Sequence, residues 1–317
     1  MHDIRTIDCH YMGAPGVAAT YLFRAGPDAV FVETNTSAAV PRMLAALAHE
    51  GLSPEQVKYI IITHVHLDHA GGAGALLQAC PNAILLAHPR AAPHAIDPSR
   101  LVTSATAVYG AERFAALYGE VVPVPAERVR IMADGETLEL HGRTLTFLHT
   151  RGHANHHFVV HDTGSDAVFT GDAFGVLYPA LQTNGTLAFP STSPTDFDPA
   201  AAREAVHRIV ATGAVRVFPT HMGEHTEIDA IAGMLDTQLL AAEAVLDEAD
   251  ASGLDGEALD RFCAERVHAG FVALLSAHGL ADDPRAWEVV AIDEDLNAQG
   301  VAFAVRKRRY KRARAAT

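Results

Sequence analysis

Six consecutive residues, His64-Val65-His66-Leu67-Asp68-His69, carry three imidazoles and a carboxylate directly after the apolar run Tyr59-Ile60-Ile61-Ile62-Thr63. So many groups in one turn would compete for the same few donors. Imidazole nitrogen and carboxylate oxygen are also the ligands that divalent ions take, so the cluster calls for a compensating cation. The tight spacing lets alternate side chains address two adjacent ions. Three further signals sit past short apolar runs: Thr150-Arg151-Gly152-His153, Thr170-Gly171-Asp172 and Pro219-Thr220-His221. Each sets one metal-competent side chain beside a glycine or a strand-to-loop transition, where the backbone can turn it toward a shared cleft. A set of loop histidines satisfied by ordinary hydrogen bonds would need four coincidences to look like this.

Together these motifs resemble the metallo-β-lactamase superfamily, specifically its dinuclear hydrolase branch of glyoxalase II-like thioesterases and lactonases, over a stretch from about Thr20 to His225. The resemblance implies an α/β fold, a four-layer αββα sandwich with the metals at one edge. It also implies roles. His64, His66 and His153 would hold a first ion, Asp68, His69 and His221 a second, and Asp172 would bridge both. Zinc is the first choice for the two divalent ions, with iron or manganese compatible with the same mixed nitrogen and oxygen ligands. The implied reaction is attack on a carboxylic thioester, ester or lactone carbonyl by a shared hydroxide, whose parent water the ions acidify to a pKa of about 7. Asp68 and Asp172 would be the catalytic carboxylates of such a centre. A carboxylate at position 172, where antibiotic-destroying members carry cysteine, suits that chemistry. Arg151 stands where many members have proline, and Glu33-Thr34 where an aspartate-containing turn is usual; neither is a ligand position.

Strands must position these groups. Short runs rich in β-branched and aromatic residues predict strands at Thr20–Phe23, Ala29–Glu33, Tyr59–Thr63, Ala83–Ala87, Thr144–His149, His157–Asp162, Ala167–Thr170 and Val215–Pro219. Helical spacing predicts helices over Ala38–Glu50, Ala70–Ala79 and Pro199–Thr212, the first ended by Gly51 and the third followed by Gly213. The alternation implies mixed sheets covered by helices. Residues Arg90–Gly119 read as a helical insertion and Leu177–Pro199 as a long loop, the kind of segment that forms lids and binding walls. Tyr109, Tyr118, Tyr178 and Phe189 in these stretches could line a pocket or simply pack. His156 and His157 follow His153 closely enough to support the ligands from behind or to be ordinary packing residues. From Thr226, expected to cap a helix, the pattern is purely helical, and a last helix begins at Asp283-Pro284. The expected organisation is a catalytic domain over 1–225, with its insertion at about 90–119, and a helical C-terminal extension over 226–317.

A chain of 317 residues that is 49% hydrophobic can bury a large core. A net charge of −14 repels nucleic acid and anionic lipid, which leaves a small-molecule substrate. One stretch dissents: Arg306, Lys307, Arg308, Arg309, Lys311, Arg312 and Arg314 form a basic tail that could touch phosphates or a membrane surface, or be a solvated, frayed terminus. Cys9, Cys80 and Cys263 are too few and scattered for a disulfide framework, and no apolar run of membrane-spanning length appears. With no signal-like segment at Met1-His2-Asp3, the expected setting is cytoplasmic. The amphipathic helices after Thr226 could pack on the sandwich or against a second subunit in a homodimer. Other functions compatible with the same fold are an iron-dependent sulfur dioxygenase, a phosphodiesterase or nuclease supported by the basic tail, and a non-enzymatic binding module built on the helices.

Overall fold

A computed structural model describes residues 4–315, and only the backbone of Val108 and Tyr109. Met1-His2-Asp3 and the Tyr109 side chain therefore lie outside the described residues. The chain forms two compact units, one made of the residues up to His149 with His156–Gly171 and Thr212–Thr226, the other of Thr150–Asn155, Asp172–Ala211 and the chain from Glu227 onward.

The first unit contains both sheets. One has the order β1 (Ile4–Asp8), β2 (Ala19–Ala25), β3 (Asp28–Val32), β4 (Val57–Ile61), β5 (Ile84–Ala87), β6 (Val129–Ile131). Its first three strands are antiparallel, and β3 through β6 run parallel. The second has the order β11 (Arg216–Pro219), β10 (Ala167–Gly171), β9 (Phe158–Asp162), β8 (Arg143–His149), β7 (Thr137–Leu140), with only β10 and β11 parallel. Strands β1, β6 and β7 go beyond the sequence expectation. Each is an edge strand or lies next to the chain start, where half-exposed residues blunt the apolar signal.

Alternation along the strands explains the layers. Tyr21, Phe23, Val30, Val32 and Ile61 face Phe147, Phe158, Phe169 and Phe218 across the gap between the sheets, and all are essentially excluded from water. The opposite face of the first sheet, with Leu22, Phe31, Ile60 and Leu85, buries α1 (Val40–His49) through Met43 and Leu47. The helix expected over Ala70–Ala79 forms as α3 (Ala73–Ala79), and a separate short helix, α2 (Leu67–Ala70), precedes it across Gly71-Gly72. The expected insertion is helical, with α4 (Ala92–Ile96), α5 (Ser99–Tyr109) and α6 (Ala111–Tyr118). Tyr118 packs there with Tyr11 and Phe114 rather than lining a pocket.

The second unit is helical: α7 (Pro199–Val210), α8 (Ile228–Ala251), α9 (Gly256–Ala277) and α10 (Pro284–Ala315). Asp198 caps α7 by accepting from the Ala201 amide, and Pro199 follows it at the first turn. Thr226 does not cap α8. The N-cap is Glu227, one residue later and without a side-chain cap, because the Glu227 carboxylate instead accepts from the Thr186 hydroxyl. Tyr178 and Phe189 are buried, Tyr178 donating to Asp293 and Phe189 meeting Phe271 edge-on. The basic stretch is neither frayed nor free. It continues α10 and pairs with aspartates: Arg306 with Asp260, Lys307 with Asp196, Arg308 with Asp247, and Arg309 and Arg312 with Asp250. Burial by itself would raise the Asp250 pKa, but the two guanidiniums outweigh it and hold the carboxyl below its ordinary range. Among the described residues no helix is long and apolar enough to cross a membrane.

Candidate metal centre

In the sequence every ligand candidate comes after the carboxyl end of a strand. His64, His66, Asp68 and His69 follow β4, and His221 follows β11. His153 lies beyond β8, and Asp172 immediately follows β10.

In the first unit the loop after β4 is gripped by the turn after β3. Glu33 and Asn35 adopt positive φ, 65° and 51°, which folds the turn back on itself. Thr34 then donates its amide and its hydroxyl to the His69 carbonyl, each at 2.8 Å, and Asn35 donates to the Asp68 carbonyl at 2.9 Å. Glu33, only 1% exposed, holds the imidazoles. Its Oε1 accepts from His69 Nδ1 at 3.1 Å, from the Thr63 hydroxyl and, at 3.3 Å, from the Thr220 hydroxyl, while Oε2 accepts from the Thr63 amide at 3.3 Å. Because the Thr63 hydroxyl is spent on Glu33, its oxygen is free to accept from His64 Nδ1 at 3.1 Å. His221 Nδ1 donates to the Val17 carbonyl at 2.7 Å.

This pattern decides the tautomers. With Nδ1–H committed to an oxygen, Nε2 presents a lone pair. His69 Nε2 and His221 Nε2 both face Asp68 Oδ2, at 3.7 Å and 3.4 Å. Two lone pairs aimed at one carboxylate oxygen repel unless a cation stands among them, and the donor set is what a divalent ion takes. The described residues of this unit thus hold a group, Asp68, His69 and His221, whose ligand atoms lie within 4.8 Å of one another. Glu33, His64 and His69 meet the same test. Glu33 there faces Nδ1 of His69, the nitrogen opposite the one that faces Asp68. The His64 ring lies 4.5 Å from that of His66 and 4.0 Å from that of His69. His156 stacks near-parallel on His64 at 6.0 Å and His157 tilts against it at 4.8 Å, so both pack against that candidate's ring. Gly171 is forced: its φ is 51°, and a Cβ would run into Thr63 Oγ1 and the His157 ring.

Behind this cluster, His88 stands 4.1 Å from the His149 ring, and its Nδ1 accepts from the Arg90 amide. Burial, then the neighbouring His149 and His156, push its pKa down to about 3.

In the second unit His153 and Asp172 come together, with Nε2 3.4 Å from Asp172 Oδ2 and Nδ1 donating to the Ser191 carbonyl at 3.2 Å. This is the same far-nitrogen arrangement as at His69 and His221. Both residues border a small cleft whose remaining wall is mostly apolar, with Val206, Leu235 and Leu239, and which also includes Arg151.

Two mixed sheets with histidines and carboxylates beyond their strand ends define an α/β protein with groups that can hold metal ions. The chain belongs to the metallo-beta-lactamase superfamily, whose family model matches residues 13–221. Its fold is that superfamily's, with a C-terminal helical region. A metallo-beta-lactamase fold-containing protein of Sulfurisphaera tokodaii is 27% identical over 216 residues, 65% of this chain and 75% of that protein. A hydroxyacylglutathione hydrolase of Aeromonas salmonicida is 28% identical over 117 residues, 37% of this chain and 33% of the relative. Among solved structures, an archaeal superfamily protein from Sulfolobus tokodaii matches with a TM-score of 0.67 at 20% identity, covering 95% of this chain and 98% of its own. A family protein from Thermus thermophilus matches with 0.64 at 19% identity, covering 97% and 94%.

Proposed function

We propose that this protein is a hydrolase of carboxylic thioesters, esters or lactones that works with two divalent metal ions, zinc first among them. The observation that carries the reading is the convergence of His69 Nε2 and His221 Nε2 on Asp68 Oδ2 while each far nitrogen is held by an oxygen. Asp68, His69 and His221 would hold one ion; His64, His66 and His153 the other, with Asp172 common to both, as the superfamily resemblance assigns them. The matched family region spans all seven. Ions in those positions would supply Lewis acidity, acidifying a water and polarising a carbonyl oxygen.

The chain's own residues do the rest. Glu33, the Thr63 hydroxyl and the Val17 and Ser191 carbonyls hold the protons on Nδ1 of their imidazoles, which keeps each Nε2 a base. Asp68 and Asp172 supply the negative charge that offsets the ions, so losing either weakens metal binding as well as rate.

The thioester class draws support from two partial relatives, the hydroxyacylglutathione hydrolase and an atrochrysone carboxyl ACP thioesterase of Aspergillus fumigatus, 24% identical over 159 residues. The phosphodiesterase alternative draws less from the basic stretch, five of whose cations are paired with aspartates. We read 1–225, which holds all seven candidates, as the catalytic domain and 226–317 as its helical extension, a division by role that differs from the two compact units, the second of which also takes in Thr150–Asn155 and Asp172–Ala211.

The test is elemental analysis of protein purified without added metal, alongside Asp172→Ala and a panel of thioesters, esters, lactones and phosphodiesters. About two equivalents of metal and thioester, ester or lactone cleavage, both reduced in the variant, are expected. Cleavage of phosphodiesters alone, or one equivalent of iron with oxygen consumption on a persulfide, overturns the reading.

A further inference from the structure

The helical extension reaches the second unit's candidate ligand through a chain of hydrogen bonds. Asn297 lies in the middle of α10 and is 6% exposed. Its Oδ1 accepts from the Thr192 amide at 2.7 Å and its Nδ2 donates to the Pro190 carbonyl at 3.0 Å, while the Thr192 hydroxyl donates to the Asn297 carbonyl at 3.1 Å. One side-chain amide thus ties the peptide groups on both sides of Ser191. The Ser191 carbonyl between them accepts from His153 Nδ1. One turn further along α10, a Cβ on Gly300 would fall on the Thr192 carbonyl, so only glycine lets the helix come this close.

A second tie reaches the same segment. Lys307 Nζ donates to the Thr195 carbonyl and to Asp196 Oδ1, both at 3.1 Å, and Asp196 Oδ2 accepts from the Asn155 amide at 3.2 Å. Gly152 accepts from the Asp198 amide at 2.9 Å. The strap from Pro190 to Asp198 therefore grips Gly152, His153 and Asn155, and α10 grips the strap at Asn297, Gly300 and Lys307. Arg306, Arg308 and Arg309 in turn lock α10 to Asp260, Asp247 and Asp250.

We propose that Asn297 is a positioning residue for metal binding: through the Ser191 carbonyl it keeps the His153 proton on Nδ1 and the Nε2 lone pair directed at the metal. The C-terminal helix is then a part of the metal centre and not an appendage. This rests on the reading of His153 as a ligand. A buried amide that satisfies two backbone groups at once leaves no slack in the carbonyl between them, and supports of this kind change metal affinity by about 10 to 100-fold.

The experiment uses the full chain and four variants: Asn297→Leu, Asn297→Asp, His153→Ala and, as a control, Gln299→Ala, whose exposed side chain bonds only Asp295 of its own helix. Zinc affinity is measured for each equivalent by chelator competition, the His153 tautomer by nitrogen-resolved NMR of the imidazoles, and folding by circular dichroism. In Asn297→Leu we expect one equivalent to weaken by about 10 to 100-fold, the other to be unchanged, and the Nδ1–H population of His153 to fall. His153→Ala should lose that same equivalent, and Gln299→Ala should match the parent. If Asn297→Leu does not fold, Asn297→Asp carries the test, because it keeps the acceptor for the Thr192 amide and sets a carboxylate oxygen against the Pro190 carbonyl in place of the donor. A folded Asn297 variant with both equivalents and the His153 tautomer unchanged, beside a His153→Ala that has lost one, overturns the proposal and leaves the metal reading intact. A His153→Ala that keeps both equivalents overturns the metal reading itself.

Discussion

Replacing Glu33 by glutamine tests how the site is held together without touching a proposed ligand. The wild-type carboxylate is buried and receives four donors: His69 Nδ1, the Thr63 and Thr220 hydroxyls and the Thr63 amide. Glutamine preserves the size and one oxygen, but its amide nitrogen must face a donor. That leaves one buried donor opposed, at about 1 to 3 kcal/mol, and turns the remaining bonds from charge-assisted to neutral, at roughly 1 kcal/mol each. Removing a buried charge offsets part of the loss, so the net destabilisation of metal-free protein should be about 3 kcal/mol. The second consequence is on the metal. With the carboxylate gone, His69 Nδ1–H loses its strongest acceptor, and through Thr63 the orientation of His64 loosens as well, so affinity should fall by about 10 to 100-fold. Urea unfolding of the metal-free protein measures the first quantity and zinc titration against a chelating dye the second. A folded E33Q that binds zinc as tightly as the parent would refute the argument that Glu33 holds the ligands.

Asp68→Asn should weaken one metal equivalent and, since it removes the charge faced by both His69 and His221, should lower hydrolysis more than His221→Ala does; metal content and turnover of the two variants compare the effects. Gly171→Ala should cost about 2 to 4 kcal/mol, from the positive φ together with the clash on Thr63 and His157, and a chemical denaturation curve reads it directly. The pH dependence has a defined sign: the His88 pKa drops from its ordinary value of 6.5 to about 3, so between these values the unfolded chain binds the proton that the folded one refuses. Stability contributed there is full above about pH 6.5 and is lost on acidification at about 1.4 kcal/mol per pH unit, and His88→Phe should flatten that part of the urea midpoint against pH. Asp250 shifts in the same sense at lower pH: its depressed pKa contributes stability that is lost as pH falls below the ordinary carboxylate range, and Asp250→Asn should remove that loss.

The ligand candidates were legible in the sequence because chemistry and chain geometry coincide there. His64 to His69 follow one strand at close spacing, Asp172 and His221 come just after two others, and glycine at 171 marks a backbone position that has no room for a side chain. Apolar alternation made the central strands readable for the same reason, since a residue buried between two sheets must be apolar on that face. Edge strands such as β6 and β7 are short and half exposed, β7 burying only Leu138 and Leu140, and that thin signal is not readable. The importance of Glu33 was out of reach, because a carboxylate 30 residues or more from Thr63 and His69 shows no local pattern; only the parallel pairing of β3 with β4 brings it under both. The basic stretch shows the same limit most plainly. Seven cations in nine positions fit either a phosphate-binding patch or a solvated, frayed terminus, and whether a charge is available depends on what faces it. Asp196, Asp247, Asp250 and Asp260, which neutralise most of it, come from the strap before α7 and from two other helices. Residue type and spacing determined which groups could bind metal, while tertiary packing decided which nitrogen each histidine offers, because that is set by whichever oxygen stands behind the ring.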